Sequence, residues 1–333
     1  MRRLWPFVAL PVLILLAGLW IDSGSDTGEG PLRVAINPWP GYEFAALARE
    51  LGFFEEEGVQ VHLVELSSLS DARRAFDRGQ VHGMFATIVE VLLSNRESDR
   101  YGKITLVTDY SNGADVILAS PDIRTLSELR GRRIAIEPGS LNELMLLRAL
   151  AAAGLSRQDV HEVGMSAMEM PRAFLEGRID AAICYPPYSL EIARGVATEV
   201  FSSRDIPGVV LDVLAFDAQT VAERPDDIAA FNRAFFRAQD YAVSHPAQAQ
   251  AIMAARQGIS ADEFQTAMTT RVTVLTREEQ AEYLVPGHRL DQVLQVVNAD
   301  LDQLRSADGG AIPRADNTHS RNTHADETDS HSE

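Results

Sequence analysis

Short apolar runs alternate with helix-patterned stretches over most of this chain, and that alternation limits the folds open to it. Residues 32–36 read as a strand. Phe44, Leu47, Ala48 and Leu51 fall at i, i+3, i+4 and i+7, one face of a helix. Val59, Val61 and Leu63 alternate with polar residues as a half-buried strand does. Ser70-Asp71 opens a short helix ending near Gly79, and residues 81–86 and 88–93 read as strand and helix. The pattern predicts further strands at 104–107, 116–119, 133–136, 180–184 and 209–214. It predicts helices at 141–153 and 168–175, with 225–304 mainly helical. Strands that alternate with helices imply parallel α/β sheets.

The length of 333 residues, less two unusual ends, leaves about 275 to fold, the size of roughly two domains. Hydrophobic residues make up 46% and charged residues 23%, so the chain can build a large core. Its net charge of −18 argues against nucleic acid as a partner, because phosphate contacts need clustered Lys and Arg. Lys103 is the single lysine and Cys184 the single cysteine. One cysteine excludes a disulfide framework or a cysteine-rich metal site within the chain. Cys184 itself lies in an apolar strand and reads as an inert buried thiol.

Residues 1–30 read as a signal peptide or an N-terminal membrane anchor. Arg2 and Arg3 precede residues 4–21, which carry no charge. That is the layout of a secretory signal and also the minimum length of a membrane span. Ser23 and Ser25 form a small-x-small pair suited to cleavage, while Leu19 stands where a lipoprotein would carry its acylated cysteine. The remainder is expected in the periplasm, either released or held to the inner membrane by this segment. Residues 306–333 are polar and are expected to be disordered. His319, His324 and His331 in that tail suggest at most weak metal capture. No metal or cofactor is assigned.

In open α/β sheets, ligands sit beyond the carboxyl ends of the strands. That rule selects Trp39, Gly41 and Tyr42 after the first strand, and Ser67 and Ser68 after the second. Thr87 follows the third, Asp109 and Ser111 the fourth. Ser140, Asn142 and Glu143 follow the strand at 133–136, and Tyr185 and Tyr188 follow the strand at 180–184. Each has a plain structural alternative. Trp39, Tyr42, Tyr185 and Tyr188 could cap the core or wall a ligand. Ser67, Ser68, Ser140 and Asn142 could simply cap helices. Asp109 could form a turn, or meet a cation, an amine or an arginine. The free N–H groups after Ser140 favour negative charge. The serines suit a sulfonate or carboxylate, and Asp109, Glu143 and the rings suit an amine. No Arg falls in these loops, which disfavours nitrate-like or phosphate-like anions.

The order of several short motifs resembles a known family. Trp39-Pro40-Gly41 precedes Ala48-Arg49-Glu50-Leu51-Gly52-Phe53-Phe54, then Gly58-Val59 and Arg78-Gly79-Gln80-Val81. Thr87, Asp109-Tyr110-Ser111, Gly113-Ala114-Asp115 and Leu129-Arg130-Gly131 follow, then Gly177 to Ala182 and Pro187-Tyr188. Together they resemble the solute-binding proteins of ABC importers for nitrate, taurine, aliphatic sulfonates and thiamine precursors. The resemblance implies a periplasmic-binding-protein type 2 fold: two α/β lobes joined by two crossing strands, with the ligand cleft between them. It places lobe one at 31–115 and 212–305, lobe two at 116–211, and the crossings near 116–119 and 210–215.

The implied function is capture of a small solute and its delivery to an ABC transporter permease, by a monomer that is not an enzyme. Two alternatives stand beside it. One is a ligand-sensing module docking a membrane receptor. The other is a thiamine-pyrimidine-synthase-like enzyme, which would need a cofactor lysine, clustered cysteines and an active histidine; one lysine and one cysteine speak against it.

Overall fold

The computed structural model describes residues 30–307. The readings of an exported head and of a polar, histidine-bearing tail lie outside the described residues. The strands in chain order are β1 (Leu32–Ile36), β2 (Val61–Glu65), β3 (Gly83–Thr87), β4 (Gly102–Ser111), β5 (Val116–Ala119), β6 (Arg133–Ile136), β7 (His161–Gly164), β8 (Ala181–Cys184), β9 (Thr198–Ser202), β10 (Leu211–Asp217) and β11 (Val272–Val274). They form two sheets, ordered β11-β4-β10-β3-β1-β2 and β7-β6-β8-β5-β9. In the first, β1 runs parallel to β2 and β3, while β10 is antiparallel to β3 and β4. In the second, β6 runs parallel to β7 and β8, and β5 is antiparallel to β8 and β9.

Most of this follows from the side chains. Every residue of β3, β5, β8 and β10 is buried, as strands covered on both faces should be. The helix Pro225–Ser244 starts with proline at its first position and Asp226 and Asp227 in its first turn, which suits the dipole. It buries Ile228, Phe231 and Phe235 along one stripe. Phe231 packs on Phe54 with ring centroids 4.7 Å apart, and Phe235 lies 6.1 Å from Phe85 of β3. Burying each of these rings contributes about 1.5–3 kcal/mol.

The structure departs from the sequence reading in definite places. The strand expected at 104–107 extends to Ser111, because β10 pairs along it as far as Tyr110 and β11 as far as Ser111. Asp109, Tyr110 and Ser111 are therefore strand residues rather than a loop. β7, β9 and β11 were not anticipated. β7 has no buried residue, β9 is buried only at its end, and β11 is three residues long, so none shows a clear apolar alternation. The helix expected at 168–175 is a 3-10 turn followed by Met170–Leu175. The strands at 116–119 and 211–217 belong to one sheet each; the chain passes between the sheets at 112–115 and 203–210.

These two passages lie side by side. The Ser203 amide donates to the Asp115 carbonyl at 2.9 Å, and the Ser111 and Ser203 hydroxyls are 2.7 Å apart. Gly113 has φ +101°, a conformation open to glycine, and its amide donates to Ser203 Oγ at 2.6 Å. The C-terminal helix Arg289–Ala307 lies across helices belonging to both sheets. Its Asn298 accepts from Arg96 of Ile88–Glu97, and its Asp300 accepts from Arg148 of Leu141–Ala152 at 2.6 and 3.0 Å.

Candidate ligand site between the two sheets

The strand directions bring one end of each sheet to the same place. The carboxyl ends of β1 to β4 and the amino end of β10 face the carboxyl ends of β6 to β8 and the amino end of β5. Several hydrogen bonds cross the junction. Tyr188 donates from its hydroxyl to the Ser67 carbonyl at 2.7 Å, and Ser70 donates to Glu137 at 2.5 Å. Trp39 meets Tyr185 edge-on at 6.1 Å between ring centroids.

Four acidic residues, all buried, gather on the first-sheet side: Glu90, Asp109, Asp115 and Asp212. Asp109 of β4 and Asp212 of β10 are register partners, directly opposite across the ladder. Like charges placed there repel. Asp109 accepts from the Trp39 indole N–H at 3.0 Å and from the Thr108 hydroxyl at 2.8 Å. Asp212 accepts from the Tyr42 hydroxyl at 2.5 Å. The backbone turn Pro40–Tyr42 presses against this pair: a Cβ at Gly41 would lie 1.9 Å from Asp109 Oδ2. Only glycine allows that approach.

Burial pushes the Asp109 carboxyl up to about 7, with its hydrogen bonds holding it partly down. Burial raises Asp212 well above the usual carboxylate range, and the charges of Asp109 and Asp115 add to the effect. Asp115 and Glu90 are likewise pushed by burial to about 7. Two buried carboxyls facing each other retain a proton between them when no cation is present. Asp115 Oδ2 and Asn37 Oδ1 are buried without a protein donor, and Asp212 Oδ2 has none beyond the proton it shares with Asp109.

On the other side, the helix Leu141–Ala152 points its N-terminus at the junction. Its Leu141 amide donates to Glu90 Oε1 at 2.7 Å. Glu90 also accepts from the Thr87 amide and hydroxyl, at 2.9 and 2.5 Å. A carboxylate of the first sheet thus already occupies the place where an anion would meet this helix.

The sequence candidates sort into three groups. Trp39, Gly41, Tyr42, Asp109, Tyr185 and Tyr188 come together, the rings buried. Ser111 joins them through the crossing passages. Ser67, Ser68, Thr87, Ser140 and Asn142 stand at the junction but are engaged in local caps. Ser67 and Ser68 donate to Asp71, Thr87 and Ser140 cap their helices, and Asn142 accepts from the Glu137 amide. Glu143 turns back to accept from the Gly139 amide at 2.9 Å, bracing its own loop. Sequence reasoning did not select Glu90, Asp115, Glu137 or Asp212. It also found no arginine in the loops; Arg73 and Arg256 reach the rim from helices instead, touching the Gly139 and Asn37 carbonyls. Arg256 is committed to buried Glu43, at 2.5 and 2.6 Å.

Two sheets joined by a double passage, with buried polar groups where their strand ends meet, make up the type 2 periplasmic-binding-protein fold. The chain belongs to the NMT1/THI5-like family, which matches residues 39–249. A protein of Brucella abortus named as a binding protein is 26% identical over 238 residues, 67% of this chain and 70% of that protein. The 4-amino-5-hydroxymethyl-2-methylpyrimidine phosphate synthase of Aspergillus parasiticus is 25% identical over 218 residues, 61% of this chain and 63% of that protein. The periplasmic aliphatic sulphonate binding protein SsuA of Escherichia coli shares the fold with a TM-score of 0.65 at 16% identity, covering 90% of this chain and 98% of that one.

Proposed function

We propose that this chain captures a small solute between its two sheets and delivers it to the membrane permease of an ABC importer. The observation that carries this reading is the set of buried polar atoms without protein partners where the strand ends of both sheets meet. Buried polar groups are nearly always satisfied, and one left open at such a junction is a place for a ligand atom. Lobe one comprises 31–115 and 212–305, lobe two 116–211, and they close on the solute by bending at 112–115 and 203–210. The protein acts in the periplasm as a monomer, and its N-terminal segment exports or anchors it. Among the described residues no helix is long and apolar enough to cross a membrane.

The synthase relative raises an enzymatic reading, but this chain's residues give it little to work with. Lys103 is exposed at the start of β4, the end away from the junction, and burial raises the Cys184 thiol above its usual range. Native mass spectrometry of the full chain after exposure to a metabolite extract tests the reading. One solute retained unaltered at one per chain is expected; turnover of the retained compound would replace binding with catalysis.

A further inference from the structure

Resting on the solute-binding reading, we infer that the solute is a small organic cation, a protonated amine or amidine, whose charge is met by Asp109, Asp212 and Asp115. Three independent observations converge. First, the carboxyl groups of Asp109 and Asp212 are fixed opposite each other by strand register, so their repulsion cannot be relieved by a loop shift. Second, Asp115 Oδ2 is buried with no protein donor, and Asp212 Oδ2 has none beyond a proton shared with Asp109, while Tyr42 already occupies Asp212 Oδ1. An acceptor left open in this way calls for a donor from outside the chain. Third, the N-terminus of Leu141–Ala152, the obvious seat for an anion, is taken by Glu90.

The remaining walls agree with a cation. Trp39, Tyr42 and Tyr185 stand around the carboxyls, and ring faces attract ammonium and guanidinium groups. The arginines at the rim add little positive potential, because Arg256 is paired with Glu43 and Arg73 with Asp77 and Glu97. Among the described residues no three His, Cys, Asp or Glu side chains are disposed to hold a metal ion, so the cation is read as organic. The net charge of −18 also draws cations toward the protein rather than anions. The fold is shared with a protein named for binding an aliphatic sulphonate, yet the acidic groups of this site suit a cation.

The test is a titration of the full chain with two panels. One holds choline, agmatine, spermidine and benzamidine; the other holds methanesulfonate, nitrate and sulfate. Calorimetry is run at pH 6 and pH 8, on the parent and on Asp212→Asn and Asp109→Asn. Both variants keep side-chain shape, and circular dichroism checks that they fold. The expected result is saturable binding of at least one cation, tighter at pH 8 than at pH 6, and weakened at least tenfold in each variant. Binding of a sulfonate or nitrate that the Asn variants leave unchanged or strengthen would overturn the cation assignment and leave the solute-binding reading standing. If neither panel binds and the metabolite extract also leaves no solute on the chain, the solute-binding reading itself falls, and this inference with it.

Discussion

The two lobes meet at one junction but bring different chemistry to it. The first supplies most of the buried acids, Glu90, Asp109, Asp115 and Asp212, together with Trp39 and Tyr42. The second supplies Tyr185, Tyr188, Glu137 and the start of the helix Leu141–Ala152. On the first side the carboxyls sit on or beside strands and are held by register and packing. On the second the groups sit after strand ends, where a loop or helix start positions them. On the proposed reading, the side held by strand register sets the ligand's charge, and the other side completes the enclosure.

The largest test of this division is Trp39→Ala. Trp39 is buried and touches Tyr42, Asp109 and Tyr185, so truncation should cost about 3–5 kcal/mol of stability, read by denaturant unfolding. A loss under about 1 kcal/mol would mean that the ring serves the solute and not the first lobe. Trp39→Phe keeps most of the packing and isolates the hydrogen bond to Asp109. Next comes Glu90→Ala, which strips acceptors from the Leu141 amide of the second lobe and from Thr87. A decrease of about 1.5–3 kcal/mol is expected, together with a larger radius of gyration in X-ray scattering as the lobes part. An unchanged radius would show that Glu90 does not tie them.

The pH dependence sharpens the contrast further. Asp109 faces Trp39, Tyr42 and Asp212, with Glu90 and Asp115 close enough to act on the pair. Folded Asp109, Asp115 and Glu90 keep protons up to about 7, which the unfolded chain releases near pH 4. The folded state thus binds more protons in that window, so stability falls as pH rises from about 4 to about 7. Melting temperatures should drop by a few degrees across the window, and by less in Glu90→Gln, which removes one of the three groups raised by burial. Glu57, held low by Arg233 and Arg237, and Asp159, held low by the Ser156 amide and hydroxyl and then by Arg130, act in the opposite sense, losing their contribution only below about pH 4. The smallest effect should come from Tyr188→Phe, which removes one bond to the Ser67 carbonyl, worth about 0.5–1.5 kcal/mol. Stability equal to the parent would show that closure does not draw on that contact.

The sequence disclosed the frame of this molecule more fully than the site. Strands such as β1 and β3 and the helix after Ser140 are continuous apolar or periodic patterns, because each is buried by its own residues. Trp39 and Tyr185 followed from where strands end; Asp109 was selected by the same rule, although β4 continues past it. Glu90 escaped notice because it reads as an ordinary capping partner of Thr87, and only the fold brings Leu141 to its other oxygen. Asp212 carried a visible sign, an acid inside the run Val210-Leu211-Asp212-Val213-Leu214, yet nothing local pairs it with a residue 103 positions earlier. Asp115 was read as part of a motif and not as a charge. The acidic character of the junction is a long-range property, set by strand order.

The C-terminal helix has a kinematic consequence. Asn298 is tied to the first lobe through Arg96, and Asp300 to the second through Arg148. These anchors are two residues apart, about 3 Å along the helix axis. A rotation that separated the lobes widely at this point would break one of the ties. Points near the axis of a rotation barely move, so if both ties hold while the lobes open as proposed, the axis runs close to residues 298–300. The paired passages at 112–115 and 203–210 give a second place through which it runs. Two points define a line, and that line sets the direction in which the mouth of the junction swings toward solvent.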